Sequence, residues 1–202
     1  MFTGLIQTVG TISERLDRGT TTRLVVDPGS WNARFVPGAS IAVDGCCLTL
    51  VEHARTGELF FDVIPETLAV TALGGLHPGH RVNLEQSVTP TTLLGGHIVQ
   101  GHVDGVAEVV EVVDADEYRI FFSLPASLMP YLTPKGSISV SGVSMTLAQV
   151  APHTPARAFA VALIPTTLEE TNLGGLGVGD RVNIECDVLS KTVVHWLEHF
   201  RD

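Results

Sequence analysis

Long apolar runs are missing from this chain. No stretch approaches the roughly 20 residues that a membrane-spanning helix needs, so no membrane association is expected. Positive charge is scarce as well: Lys and Arg number 12 against 22 Asp and Glu, for a formal net charge of −10. Such a surface does not neutralise phosphates in bulk, which sets nucleic-acid binding aside while leaving room for a local basic residue on a small polar ligand. There are three cysteines, Cys46, Cys47 and Cys186, an odd number with two adjacent, so a structural disulfide is not expected. The opening Met1-Phe2-Thr3-Gly4-Leu5-Ile6-Gln7 has no basic leader and no long apolar core, so no signal peptide is expected and the chain reads as cytoplasmic. Glycine is plentiful, but Gly74-Gly75 and Gly174-Gly175 lack the spacing of a phosphate loop.

What the chain does have is a repeat. The stretch Pro37-Gly38-Ala39-Ser40-Ile41-Ala42-Val43-Asp44-Gly45-Cys46-Cys47-Leu48-Thr49-Leu50 returns as Pro134-Lys135-Gly136-Ser137-Ile138-Ser139-Val140-Ser141-Gly142-Val143-Ser144-Met145-Thr146-Leu147. Ile64-Pro65-Glu66-Thr67-Leu68, Leu73-Gly74-Gly75-Leu76 and Arg81-Val82-Asn83-Leu84-Glu85 return as Ile164-Pro165-Thr166-Thr167-Leu168, Leu173-Gly174-Gly175-Leu176 and Arg181-Val182-Asn183-Ile184-Glu185. The period of about 97 to 100 residues is that of a domain, too long for a solenoid or propeller unit. A length of 202 residues accommodates two such domains, each with its own core.

Both halves consist of short apolar runs punctuated by Gly, Pro, Asn and Asp, which predicts strands of a small barrel or sandwich. Thr67 to Leu73 and Thr167 to Leu173, each between a Pro and a Gly-Gly pair, predict a single short helix per half. The boundary falls in the linker Pro90 to Gly96. The chain restarts at His97, with Gly101 matching Gly4 and His102 matching Leu5, giving domains at 1–96 and 97–187. Residues 188–202 are not duplicated. There Leu189, Val193, Trp196, Leu197 and Phe200 recur at helical spacing, for a helix that packs either on its own barrel or on other subunits.

Strand alternation sends Leu48 and Leu50 to one face, Cys47 and Thr49 to the other. The copy does the same with Met145 and Leu147 against Ser144 and Thr146. A thiol in one half and a hydroxyl in the other thus occupy one position twice; a lone Cys47 would otherwise read as a small buried hydrophobe. His97 and His102, at an odd separation, do not form a metal pair on a strand, and His195 and His199 read as a solvated helix face, so no metal is expected. Lys135 faces Gly38 in the repeat, which marks the halves as specialised.

These motifs resemble the riboflavin synthase family of the two-barrel type. The opening Met1-Phe2-Thr3-Gly4-Leu5-Ile6, the Gly45-Cys46-Cys47-Leu48-Thr49 motif, the Gly95-Gly96-His97 to Gly101-His102 junction and both Ile-Pro-x-Thr-Leu segments carry the resemblance, in order and over essentially the whole chain. It implies an all-β fold of two tandem six-stranded Greek-key β-barrels with a C-terminal α-helix, the helices of three chains forming a trimer core. It implies a transferase that converts two molecules of 6,7-dimethyl-8-ribityllumazine into riboflavin and 5-amino-6-(ribitylamino)uracil, with no cofactor and no metal. Each active site would lie between the first barrel of one subunit and the second barrel of its neighbour. The resemblance assigns Gly4, Leu5, Ile6, Ser40, Cys47, Leu48, Thr49, Asp62, Val63, Ile64, Pro65, Glu66 and Thr67 to the first barrel's substrate site. To the second it assigns Gly101, His102, Val103, Lys135, Ser144, Met145, Thr146, Ala162, Leu163, Ile164, Pro165, Thr166 and Thr167. Cys47, His102, Ser144 and Thr146 are expected nearest the chemistry, His102 as a proton carrier near neutrality. A dismutation of identical molecules suits a duplicated fold, because holding both rings face to face makes the encounter intramolecular.

The second half departs from the family pattern. Ser141 stands where Asp44 stands in the first copy, Thr166 where Glu66 stands, and Ala162 where the family often has a polar residue. If the carboxylate at 141 serves in proton transfer, Ser141 and Thr166 imply reduced activity, and a non-catalytic lumazine- or flavin-binding paralogue is the alternative. A flavin reductase barrel is disfavoured, since no dinucleotide-binding fingerprint is present.

Overall fold

The structure, a computed structural model, describes residues 1–53, 57–151 and 159–200. In the first half β1 (Thr8–Asp17), β2 (Thr22–Asp27), β3 (Ser40–Val43), β4 (Cys46–His53), β5 (Leu59–Val63) and β6 (Arg81–Gln86) close into an antiparallel barrel in the order β1-β2-β5-β4-β3-β6. The second half repeats this with β7 (Gly105–Val113), β8 (Tyr118–Ser123), β9 (Ser137–Val140), β10 (Val143–Val150), β11 (Phe159–Leu163) and β12 (Arg181–Cys186). In each, three hairpin-connected strands are flanked by an earlier strand that returns beside the last of them, a Greek key. The two-barrel, all-β expectation holds.

Alternation fills the barrels. On β5 Leu59, Phe61 and Val63 are buried while Phe60 and Asp62 point outward, and on β2 Leu24 and Val26 are buried. Each side chain removed from water in this way contributes roughly 1.5–3 kcal/mol. Register shifts between Ile12 and Glu14 and between Val109 and Glu111 bend β1 and β7 at the same place, as closure of so small a barrel requires.

The single helix expected at Thr67 to Leu73 is instead two pieces. A helix α1 (Pro65–Val70) starts on its proline, stops at Thr71 with extended backbone (φ −121°, ψ 164°), and a 3₁₀ turn over Ala72–Gly75 follows. The Thr71 hydroxyl donates back to the Thr67 carbonyl at 2.6 Å, and Leu73 is buried beyond the break. The second half repeats the break at Thr171, between α2 (Pro165–Glu170) and Asn172–Gly175.

The last element, α3 (Val188–Phe200), leaves its apolar stripe uncovered: Leu189, Val193, Trp196, Leu197 and Phe200 are 65, 58, 58, 43 and 63% exposed. Its own barrel therefore leaves most of this stripe uncovered. The helix is tied down at its base, where Lys191 Nζ reaches Asp104 Oδ1 and Oδ2 at 2.8 and 3.0 Å. No helix among the described residues is long and apolar enough to cross a membrane.

The barrels meet through two turns. Asp44-Gly45 joins β3 to β4 with both residues at positive φ (44° and 75°), and Ser141-Gly142 joins β9 to β10 likewise (43° and 84°). These are two-residue hairpin turns of the mirror-image type that matches strand twist. They stand back to back: a Cβ on Gly45 would lie 2.5 Å from the Gly142 amide nitrogen.

Candidate functional site

The face assignment made from alternation holds. Leu48 and Met145 are buried at 7 and 8% exposure, while Cys47 and Ser144 are half-buried and Thr49 and Thr146 exposed on the opposite face. Ser40 pairs with Thr49 across β3 and β4, and Ser137 pairs with Thr146.

Beside these residues each barrel has an opening. β5 pairs with β4 only from Leu50 onward, and β11 with β10 only from Leu147, so Cys47 and Ser144 lack a strand neighbour on that side. The start of the other half fills the gap: Cys47 N donates to Gly101 O and Ser144 N to Gly4 O, both at 2.8 Å. A Cβ on Gly101 would stand 2.5 Å from Cys47 Cβ, and one on Gly4 2.6 Å from Ser144 Cβ, so only glycine lets the two chains approach. Phe2 and Val99 exchange backbone bonds where the segments cross. This corrects the grouping drawn from the sequence. Gly4, Leu5 and Ile6 belong with the second barrel, where Ile6 packs on its core; Gly101, His102 and Val103 belong with the first, where Val103 packs. Each barrel leaves this stretch of β4 or β10 without a strand partner on one side, and it is the leading segment of the other half that pairs there.

Two buried carboxylates hold the exchange in place. Glu85, 3% exposed, accepts from Thr3 N (2.7 Å), Thr3 Oγ1 (2.7 Å) and Gly4 N (3.0 Å). Glu185, also 3% exposed, accepts from Gln100 N (2.6 Å), Gly101 N and His102 N (both 2.8 Å). Burial pushes both carboxyls above their ordinary range, against the pull of these donors. Sequence comparison displayed both glutamates in the repeated Arg-Val-Asn-x-Glu strand, yet nothing local marked them as clamps.

The remaining expected residues fall as follows. Val63 and Leu163 are buried in the cores, whereas Ile64, Pro65, Glu66, Ile164, Pro165 and Thr166 are exposed, and Thr67 and Thr167 half-buried, at the mouths of α1 and α2. Asp62 is occupied: Arg23 of β2 grips it through Nε (2.7 Å) and Nη2 (2.9 Å), holding its carboxyl below the ordinary range. In the copy, Ala162 faces Arg119, which turns to Glu117 instead. His102 is exposed, fixed through its backbone rather than its ring. Lys135 sits at φ 67° where Gly38 has 89°, each donating its N–H to the strand behind (Leu147 O and Leu50 O). A lysine in the left-handed region is strained where glycine is not, and such strain persists only where the surroundings over-determine it.

One contact was not anticipated. His97 Nδ1 lies 2.7 Å from Ser144 Oγ, while its own N–H donates to Thr3 O at 3.2 Å. Burial lowers the proton affinity of His97, with Asp187 opposing. The other two cysteines, Cys46 and Cys186, are buried thiols pushed up to about 12 by desolvation, which leaves Cys47 as the accessible one.

The residues at 44 and 141 do not join the Cys47 and Ser144 faces. They lie in a polar seam between the barrels. Asn83 and Asn183, at 0 and 1% exposure, send Nδ2 to the opposite turn, to Ser141 O (2.9 Å) and Asp44 O (2.8 Å). Their Oδ1 atoms accept from the Asn172 and Ala72 amides at 2.8 and 2.6 Å. Asp44 Oδ1 accepts from Asn83 N (2.8 Å) and from the Asn172 side chain (2.9 Å). Among the described residues Ser141 Oγ has only Asn183 N at 3.4 Å, and Ala72 offers no side-chain donor. The pairs Asp44/Asn172 and Ser141/Ala72 thus differ together. The seam borders a cleft of about 470 Å³ that includes Arg81, Arg181 and Asp180. Ser141 is therefore part of the junction between the barrels.

Burial raises Asp44 from 3.8 to about 7. Between those values the folded chain keeps a proton that the unfolded chain has released. Its contribution is full below about 4 and is lost as pH rises through about 7. Asp44→Asn is expected to flatten that slope, read from urea midpoints at pH 5 and pH 8 for both proteins.

Fold and site define a duplicated barrel protein that carries one polar face twice, each completed by the other half. A family model described as the lumazine binding domain matches residues 3–87 and 100–187. Riboflavin synthase of Mycobacterium bovis is 42% identical over 194 residues, 96% of each chain, and that of Chlamydia muridarum 40% over 207 residues, 100% of this chain and 97% of the relative. Among solved structures, LumP complexed with 6,7-dimethyl-8-(1'-D-ribityl) lumazine superposes with a TM-score of 0.79 at 27% identity, covering 92% of this chain and 98% of the other. LumP complexed with riboflavin matches equally well at 25% identity, covering 92% and 99%. The chain belongs to the riboflavin synthase family of tandem lumazine-binding domain proteins.

Proposed function

We propose that this chain is a riboflavin synthase, which takes two molecules of 6,7-dimethyl-8-ribityllumazine to riboflavin and 5-amino-6-(ribitylamino)uracil by transfer of a four-carbon unit. The observation that carries this reading is the doubled face: Cys47 with Thr49 and Ser144 with Thr146, each beside a segment delivered by the opposite half. Two like sites hold two like rings, and positioning supplies much of the acceleration. Cys47, His102, Ser144 and Thr146 serve the acid–base and nucleophilic steps at the acidic methyl group and the partner ring. The residues from Ser40, Asp62 to Thr67, Lys135 and Ala162 to Thr167 frame the rings and ribityl chains, Asp62 through its ion pair with Arg23.

Residues 1–96 and 97–187 act as the two lumazine-binding units, and 188–202 as the helix through which three cytoplasmic chains assemble. The uncovered stripe of α3 supports the trimer, and the open Cys47 and Ser144 faces suit a site completed by a neighbouring subunit. Incubation of the pure protein with 6,7-dimethyl-8-ribityllumazine alone is expected to yield riboflavin, followed by absorbance. Tight binding without turnover overturns the enzyme in favour of a binding protein. Sedimentation as a monomer overturns the trimer alone.

A further inference from the structure

The two faces differ in a way the repeat does not explain. Ser144 has a histidine on its hydroxyl at 2.7 Å, whereas among the described residues no side chain hydrogen-bonds to the Cys47 thiol. His97 is held for this contact. Its N–H is tied to Thr3 O, and the preceding Gly96 is wedged so closely that a Cβ there would stand 2.2 Å from Thr3 O and 2.9 Å from Ser144 Cβ. Ser144 is fixed from the other side by its N–H on Gly4 O. The segment that leads into the second barrel, ahead of its first strand, therefore supplies the partner of Ser144.

The chemistry of the two groups accounts for the difference. A thiol ionises within reach of neutrality and is a nucleophile in its own right, whereas a serine hydroxyl is weak until a neighbouring base takes its proton. We infer that His97 is a positioning residue of the second-barrel site, the proton acceptor that makes Ser144 the working equivalent of the Cys47 thiol. The inference rests on the synthase reading above. The step is a simple transfer: the Oγ–H bond breaks as an N–H bond forms at Nδ1, the electron pair left on Oγ forms a bond to an electrophilic C=N carbon of the bound lumazine ring, and the π pair of that C=N bond moves onto the ring nitrogen. Desolvation disfavours the protonated imidazole, and the neutral ring has a nitrogen able to accept. The charged groups around it are Asp187, which acts on the ring directly, and Glu85, which holds Thr3 beneath it.

The test is a double-mutant cycle built on the pseudo-symmetry. His97→Ala is expected to lower kcat about 100-fold with KM nearly unchanged, within the usual range for loss of an acid–base partner. His97→Asn, which keeps an acceptor but takes up no proton, is expected to restore thermal stability without restoring kcat. In a Ser144→Cys background, where the thiol needs no base, the same His97→Ala change is expected to cost less than about fivefold. An equal loss in both backgrounds, full rescue by His97→Asn, or an unchanged rate in Ser144→Ala would each overturn the inference. A readout without turnover separates it from the synthase reading. Alkylation of the thiol introduced by Ser144→Cys, followed by peptide mass spectrometry, is expected to show a lower apparent pKa with His97 present than with His97→Ala. Identical profiles overturn the contact even if the wild-type protein makes no riboflavin.

Discussion

Glu185→Ala is expected to unfasten the segment that completes the first barrel and to cost about 3–5 kcal/mol, the range for stripping one side of a buried, charge-assisted network. The carboxylate is 3% exposed and takes three consecutive backbone N–H groups, from Gln100, Gly101 and His102. Without it those donors stay desolvated and unpaired beside a cavity. The damage spreads along a short path. Gly101 O is the acceptor for Cys47 N, and His102 is placed by its backbone, so the Cys47 face loses its neighbour although Cys47 lies in the other barrel. Urea denaturation reads the stability, and lumazine turnover is expected to fall with it. Glu185→Gln, which keeps the shape and one acceptor, is expected to lose less. An alanine variant within 1 kcal/mol of the parent would show that the segment is held by its packing alone.

The second large effect is at the seam between the barrels. Ser141→Asp is expected to destabilise by about 2–3 kcal/mol near pH 8, not to quicken catalysis. The new carboxylate would sit under Asn183 N in a site 4% exposed, opposite Ala72, whose side chain has nothing to donate and whose N–H is already given to Asn183 Oδ1. Asp44 is tolerated because Asn172 of the second half reaches its Oδ1. Ala72→Asn together with Ser141→Asp is expected to recover about 1–3 kcal/mol relative to the sum of the single changes, which is the coupling for residues in one network. Additive single effects in denaturation would sink the pairing of these positions. A faster enzyme from Ser141→Asp alone would return position 141 to the chemistry.

The sequence made the duplication, the barrels and the outward face of Cys47, Thr49, Ser144 and Thr146 legible, because strand alternation and a long-period repeat are both visible along the chain itself without any knowledge of tertiary contacts. It could not say which edge the leading segments fill. Alignment shows that Gly4 precedes the first barrel and Gly101 the second; that each joins the opposite barrel follows from where β5 and β11 stop pairing. Asn83 and Asn183 look like ordinary strand residues until their partners across the seam are seen. Ser141 likewise stands beside the Ser144 motif in sequence, and only the fold shows that it belongs to the seam instead. His97 was legible as part of the junction motif and as half of an improbable metal pair, but not as the partner of Ser144, which is 47 residues away. The helix at 67–73 was misjudged at Thr71, whose hydroxyl competes for the Thr67 carbonyl.

The exchange of leading segments also fixes an order of events on the ribosome. The first barrel has all six strands once Gln86 has emerged, yet the backbone beside Cys47 then has no neighbour until Gly101 arrives. Gly4, the earliest part of the chain, waits longer still, for Ser144 in β10. Contacts that join residues separated by most of the chain form slowly, because loop closure precedes their reward. The nascent first half therefore carries an open strand edge through much of synthesis, the kind of surface on which chains mispair. Reciprocal docking of the two segments cannot be completed before β10 has emerged, and each half covers the edge that the other leaves open.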